Sequence, residues 1–352
     1  MSAPFSVDGA GDDDSALLDA DCPDVYFTSA YGTATAALDS GGWQVAHEDD
    51  RLILPYVSRP ANETDLDAFT PYGYAGIHVD PGCSAADLAR FWRQTMDHWR
   101  QTRTVAVFLR FSPLDPASVQ AARALDHLEL TQRQDTITVT VSQGPDRVWD
   151  VMEGRSRTAI RKACGAGLSA AVRPADPGDL MTGSPFRRLY ESTMIRLGSQ
   201  PWYLFPDHYY EQLAAGLDKA LTIAEVRAAD GTVVASALVL RHRDRAHYHL
   251  AGSEPSASRL GANNLLVWTI LSWASENGCR LVHLGGGVRP DDGLFRFKRS
   301  FGGARTPFWT GAVVADPDRY AALIAARARQ LGRSAEELRS TGFFPAYRAA
   351  VG

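Results

Sequence analysis

The sequence lacks the marks of several familiar chemistries. Its four cysteines, Cys22, Cys83, Cys164 and Cys279, are scattered along the chain. They have neither the paired spacing of a metal site nor the density of a disulfide scaffold, and a reducing cytoplasm is the expected setting. No apolar run is long enough to cross a bilayer, so no membrane insertion is expected. The N-terminus has no basic segment leading into an apolar stretch, which argues against a secretory signal. There is no Gly-x-Ser-x-Gly elbow, no P-loop, no His-Glu-x-x-His helix and no dinucleotide glycine fingerprint. His247 and His249 alternate on an expected strand and share one side, but no third ligand accompanies them and no metal is expected. A formal net charge of −5 excludes a basic coat for indiscriminate nucleic-acid binding while leaving room for a local basic patch.

The composition, 45% hydrophobic and 22% charged over 352 residues, is that of a soluble globular protein with one large domain or two of ordinary size. An acidic, small-residue stretch, "GAGDDDSALLDADCPD" (9–24), reads as part of a mobile lead-in. Strands and helices then alternate. Residues 42–60 read as a hairpin, 84–104 as an amphipathic helix capped by Ser84, and 105–114 as a strand. A helix over "PASVQAARALDHLEL" precedes a strand at 135–142. The second half repeats this order: a helix from 145 stopped near Gly165 and Gly167, helices at 186–198 and 206–218, three strands over 221–253, a helix at 261–278, and a buried strand at 279–287 running into glycine. Mixed strands with helices on both faces fit α/β or α+β layers. The tail reads as one or two helices ending in the apolar cluster Phe343, Phe344, Pro345 and Tyr347, which is expected to dock on the body.

Four constellations could carry chemistry. The first is "GGGVRPDDGLFRFKRSFGG" (285–303). Gly285, Gly286 and Gly287 let another molecule approach the backbone. Lys298 follows, flanked by Phe297 and near Phe301, where partial burial would strip and aim its ammonium toward a developing oxyanion. The competing reading is a glycine turn leading into an edge strand with a solvated lysine. The second is "RSRTAIRKACGAG" (155–167), where Arg155, Arg157, Arg161 and Lys162 crowd positive charge on one segment. Like charges four apart repel, which hints at an anionic partner; pairing with Glu153 is the plainer explanation. The third is "SRLGANNLL" (258–266), where Gly261 opens a helix whose free N–H groups could hold a phosphate. The fourth comprises "TPYGY" (70–74), Tyr190, Thr193, Arg196, Trp202, Tyr203 and "AHYHLAGS" (246–253), polar and aromatic groups that could line a cleft, though each taken alone fits a core or rim role.

Together these pieces resemble the Fem family, aminoacyltransferases that extend peptidoglycan stem peptides from aminoacyl-tRNA, within the acetyltransferase (GNAT) superfamily. The matches are "RSRTAIRKACGAGL" (155–168), "LYESTMIR" (189–196), "YHLAGS" (248–253), "NNLLVWTILSWASENGC" (263–279), "LGGGVRPDDGLFRFKRSFGG" (284–303) and, in the first half, "TPYGYAGI" (70–77). The resemblance implies two tandem GNAT-like domains of mixed α/β fold: residues 1–143, of which 1–23 are the mobile lead-in, then 144–311 carrying the active-site cleft, with 312–352 packing back on the first. No heptad run supplies the coiled-coil arm of some Fem members, so the chain resembles the compact ones.

The resemblance ties catalysis to Lys298 and Phe297. It implies acceptor contacts at Tyr74, Thr193, Arg196, Tyr203 and Tyr248. Donor contacts are expected at Arg155, Arg161, Lys162, Gly261, Gly285, Gly286, Gly287 and Arg296. The expected reaction joins the amino acid of a charged tRNA to an amine, from a peptide-like antibiotic intermediate or a peptidoglycan precursor, in a monomeric enzyme with no cofactor. Phe297 is expected to brace the Lys298 ammonium by cation–π contact. The alternatives are an acyl-CoA-dependent N-acyltransferase, with the Gly261 loop cradling pyrophosphate, and a non-catalytic binding protein.

Overall fold

A computed structural model of the chain describes residues 5–11, 19 and 21–350. It divides into two compact units, residues 1–133 together with 308–352, and residues 134–307. Each is built on its own sheet, the mixed α/β tandem arrangement expected.

In the first unit the strand path runs Ser6–Gly9, Gly42–Glu48, Leu52–Pro60, Leu66–Phe69, Thr104–Arg110, Trp309–Val314 and Leu128–Gln132, with His78–Val79 pairing off the third strand. The strand at 6–9 corrects part of the expected mobile lead-in, because it pairs with His47 to Gln44 of the next strand; residues 1–4, 12–18 and 20 lie outside the described residues. The Ala85–Gln101 helix has the expected Ser84 cap, closed into a capping box by Asp87. It buries Phe91, Trp92, Met96 and Trp99 against this sheet.

Leu128–Gln132 corrects the sequence reading, which ran a helix through it. The helix stops at Ala122, and the segment pairs with Trp309–Val313, about 180 residues downstream. The C-terminal residues Leu323, Ile324, Leu338 and Tyr347 close a cluster on Val105 of the same unit.

The second unit is a sheet in the order Ala304–Thr306, Thr136–Thr140, Leu281–Gly286, Arg245–Ser253, Val233–His242, Leu221–Arg227 and Ser169–Pro174. Because Thr136–Thr140 pairs with the glycine-ended strand Leu281–Gly286, the division falls at 133/134 rather than 143/144. All neighbours are antiparallel except Leu281–Gly286 against Arg245–Ser253, which are parallel. Helices Gly154–Gly165 and Ala262–Glu276 pack on one face with Ile160, Leu266, Ile270 and Leu271 in its core. Tyr209 of Asp207–Leu217 bonds His249 at 3.0 Å.

Candidate active site

The parallel pair is short, and its shortness makes the site. Arg245, Ala246 and His247 pair with Leu281, Val282 and His283. Beyond them the strands part. Leu250–Ser253 stay with Leu238–Ala235 on one side, while Gly285 and Gly286 turn to Ile137 and Thr136 on the other. Register shifts sit at the parting: His249 is the extra residue on one strand, and Leu284 on the other. Gly285 takes φ +73°, a left-handed conformation that favours glycine. The result is a wedge between two strand ends, lined by backbone.

Lys298 closes this wedge. Residues Gly293–Arg299 are a helix, not the edge strand of the plainer reading. The cap is Asp292, which accepts the Phe295 N–H at 2.8 Å. Phe295 and Lys298, three apart, share the buried face, so the residue that packs the helix also aims the lysine inward. Lys298 is 8% exposed. Its Nζ donates to the Gly286 carbonyl at 2.7 Å and stands 6.0 Å from the centre of the Tyr248 ring. The ammonium is thus bonded to one side of the wedge and within cation–π range of the other. Burial pushes its pKa down from 10.5 to about 8, with the Asp292 carboxylate pulling the other way. It is still about nine-tenths protonated at pH 7.

The expected Phe297 brace is corrected: its ring meets Phe301 edge-on at 5.3 Å, and the ring over the ammonium is that of Tyr248. His249 and His283 stay neutral near pH 7. Burial, reinforced by His247, lowers His249 to about 3. Burial first, then His247 and Lys298, takes His283 well below its ordinary value.

The acceptor candidates divide. Thr193 and Arg196 meet at the end of the Arg245–Ser253 strand. The Ser253 N–H donates to Thr193 Oγ1 at 3.2 Å, and Arg196 Nη2 donates to Thr193 Oγ1 at 3.2 Å and the Ser253 carbonyl at 3.4 Å. Tyr248 lies on the same strand. Tyr203 stacks on Trp202 at 3.7 Å, and its carbonyl accepts the Tyr190 hydroxyl. Tyr74 belongs to the first unit, where its ring packs on Tyr26 and Phe308.

The basic donor candidates each have their own partners. Arg155 pairs with Glu153 at 2.8 Å and also donates to the Arg296 carbonyl, which joins its helix to the lysine helix. Arg161 covers the Trp149 ring at 5.3 Å, and Lys162 donates to the Arg259 carbonyl at 2.9 Å. The single helix expected from 145 is split into Pro145–Val151 and Gly154–Gly165, and Arg157 is taken by the carbonyls of Trp149, Asp150 and Met152, a C-cap for the first of them that explains a charge the sequence made costly. Arg296 donates to the Asp291 carbonyl.

Gly261 does not sit in an open loop. Pro255–Leu260 is a short helix, and Gly261, at φ +95°, joins it to Ala262–Glu276. A Cβ at Gly261 would lie 2.3 Å from the Ala159 carbonyl oxygen. The glycine is needed for the approach of a neighbouring helix backbone.

Residues 154–299 match the acetyltransferase (GNAT) domain model. The solved structures similar to the whole chain include a crystal structure of FemX, 13% identical with TM-score 0.65 over 84% of this chain and 94% of that one. The fold is Fem-like. The C-terminal domain of a putative lysylphosphatidylglycerol synthetase from Agrobacterium fabrum is 15% identical, TM-score 0.55, over 89% and 95% of the two chains. A tandem GNAT protein from the clavulanic acid biosynthesis pathway is 12% identical, TM-score 0.51, over 89% and 99%. No curated protein sequence matches the chain. Among the described residues no helix is long and apolar enough to cross a membrane. In the GNAT domain the wedge and Lys298 fall near the C-terminal end of the matched range.

Sequence reasoning missed Asp292 and Tyr209. It also passed over a compositional signal: the chain has only three lysines, Lys162, Lys219 and Lys298, against 33 arginines. A lysine kept inside a glycine-framed motif of such a sequence marks a position where arginine does not serve.

Proposed function

We propose that the chain is an aminoacyl-tRNA-dependent aminoacyltransferase. An amine attacks the ester carbonyl that links an amino acid to the terminal ribose of a tRNA. The C–N bond forms, the carbonyl oxygen turns negative, the C–O bond to ribose breaks, and the proton lost by the amine ends on the ribose oxygen. An aminoacyl ester is already activated, so positioning and charge stabilisation suffice without a covalent intermediate.

The observation that carries the reading is the Lys298 ammonium, buried at the parting of the two strands and pinned by the Gly286 carbonyl. One of its three N–H donors is used there, which leaves donors for the oxyanion or the departing ribose oxygen. Its lowered pKa makes it a better proton donor to that oxygen than an ordinary lysine. Arg155 and Arg296, joined by a hydrogen bond, together with Arg161 and Lys162 would supply positive charge for the RNA phosphates. Thr193, Arg196, Tyr203 and Tyr248 would hold the acceptor, an amine of a peptide-like intermediate or of a peptidoglycan precursor. The similarity to FemX supports this donor.

The acyl-CoA reading is kept by the GNAT domain match. Against it, the groups at the start of the Ala262–Glu276 helix are turned inward: Asn263 donates to Ser258, Asn264 to Ser156, and the Ala159 carbonyl oxygen presses on Gly261. A carbonyl oxygen there repels a pyrophosphate.

The test is incubation with charged total tRNA and, separately, with acetyl-CoA, over a panel of amines. Ribonuclease-sensitive amide formation is the expected result; consumption of the thioester instead would select the second reading.

A further inference from the structure

The loop between the glycine strand and the lysine helix is organised around one side chain. Asp292 Oδ2 accepts the N–H groups of Val288 and Arg289 at 2.7 and 3.0 Å, and Oδ1 accepts that of Phe295 at 2.8 Å. A Cβ at Gly287 would lie 2.3 Å from Oδ1, so this glycine leaves room for the carboxylate. The chain between the Gly286 carbonyl and the helix that carries Lys298 is thereby folded on itself at both ends. We propose that Asp292 is a positioning residue for Lys298: it ties the 287–292 loop to the start of the lysine helix and so fixes the ammonium against Gly286. The inference deepens the transfer reading above and rests on it only for the effect on rate.

Charge acts in the same direction. The groups facing the Lys298 ammonium are Asp292 from the loop, His283 from the glycine strand and the Tyr248 ring from its neighbour. With His283 neutral, Asp292 is the anion among them and favours the charged lysine against burial. Burial works to raise its own pKa, but the backbone N–H groups around it outweigh that and hold the carboxyl below its ordinary value.

The test uses the full chain and its small lysine set. In wild type, lysine side-chain NMR should resolve Lys298, assigned by its loss in Lys298→Arg, titrating near pH 8. Asp292→Asn keeps an N-cap acceptor but loses the charge and one of the two anchors. The Lys298 midpoint should fall by about one unit, and kcat at pH 7.5 should fall at least about threefold, the loss of protonated lysine alone, with KM changed less than twofold. Asp292→Ser, a good cap without reach to the loop, should behave alike while its Tm stays near that of wild type. A Lys298 midpoint unmoved in both variants would overturn the proposal, whatever happens to Tm. A shifted midpoint supports it even if the donor proves to be a thioester, because that readout involves no substrate.

Discussion

The Lys298 ammonium donates a 2.7 Å hydrogen bond to the carbonyl oxygen of Gly286, twelve residues upstream. That bond joins the end of a strand to the helix that follows it, and it holds a cation where strand pairing has just stopped. A buried cation with one carbonyl partner is a cost to folding.

Removing the cation should separate stability from activity. Lys298→Met is expected to lower turnover at least a hundredfold while raising thermal stability at pH 7. The folded-state pKa lies below the unfolded one, so the unfolded chain holds more protons between about pH 8 and 10.5. Wild type should therefore gain on the Met variant by on the order of 3 kcal/mol across that window. Denaturant titrations at pH 7 and pH 10 check it; a constant difference would show that Lys298 is not perturbed.

The rate should carry the same signature. On the transfer reading Lys298 is a donor and works protonated, below its pKa. Activity is expected to hold through pH 7 and fall along an alkaline limb centred near 8. Single-turnover rates from pH 6 to 9.5 measure it, with ester hydrolysis subtracted.

Gly261→Ala should destabilise the second unit strongly, by about 2 kcal/mol or more, through a positive φ and a clash with the Ala159 carbonyl. Gly165→Ala is the control, since a Cβ there meets nothing within 4 Å. It should be neutral or mildly stabilising. A Gly261→Ala variant of normal Tm would return that glycine to the phosphate-cradle reading.

The basic surface predicts a salt effect. Arg161→Ser with Lys162→Ser should weaken binding of uncharged tRNA without regard to sequence and reduce the slope of log affinity against log salt by about one to two. Glu153→Gln, which frees Arg155 from its partner, should strengthen binding slightly.

The glycine run and the Phe295–Arg299 segment stood out in the sequence as a candidate site, but their form did not. Five residues mixing aromatics and cations fit a strand or a helix equally well. The capping pattern of Asp292 with Phe295 decides for the helix, and it is visible once the segment is read with a period of three. The strand at 128–132 was invisible because its partner lies in the last quarter of the chain and its exposed, alternating residues form no local apolar run. Tyr248 replaces Phe297 over the ammonium for a similar reason: adjacency along a helix turns side chains apart, whereas the parting of two strands brings Tyr248 and Lys298 to one place.

By itself the sequence determined which segments bury their faces, where glycine must stand and which lysine is exceptional, because periodicity, φ requirements and composition are local properties. The tertiary structure alone decided where pairing between two strands stops, which ring covers the ammonium and which carbonyl holds it. Those depend on register between segments tens of residues apart, and register is set by packing rather than by any one stretch of chain.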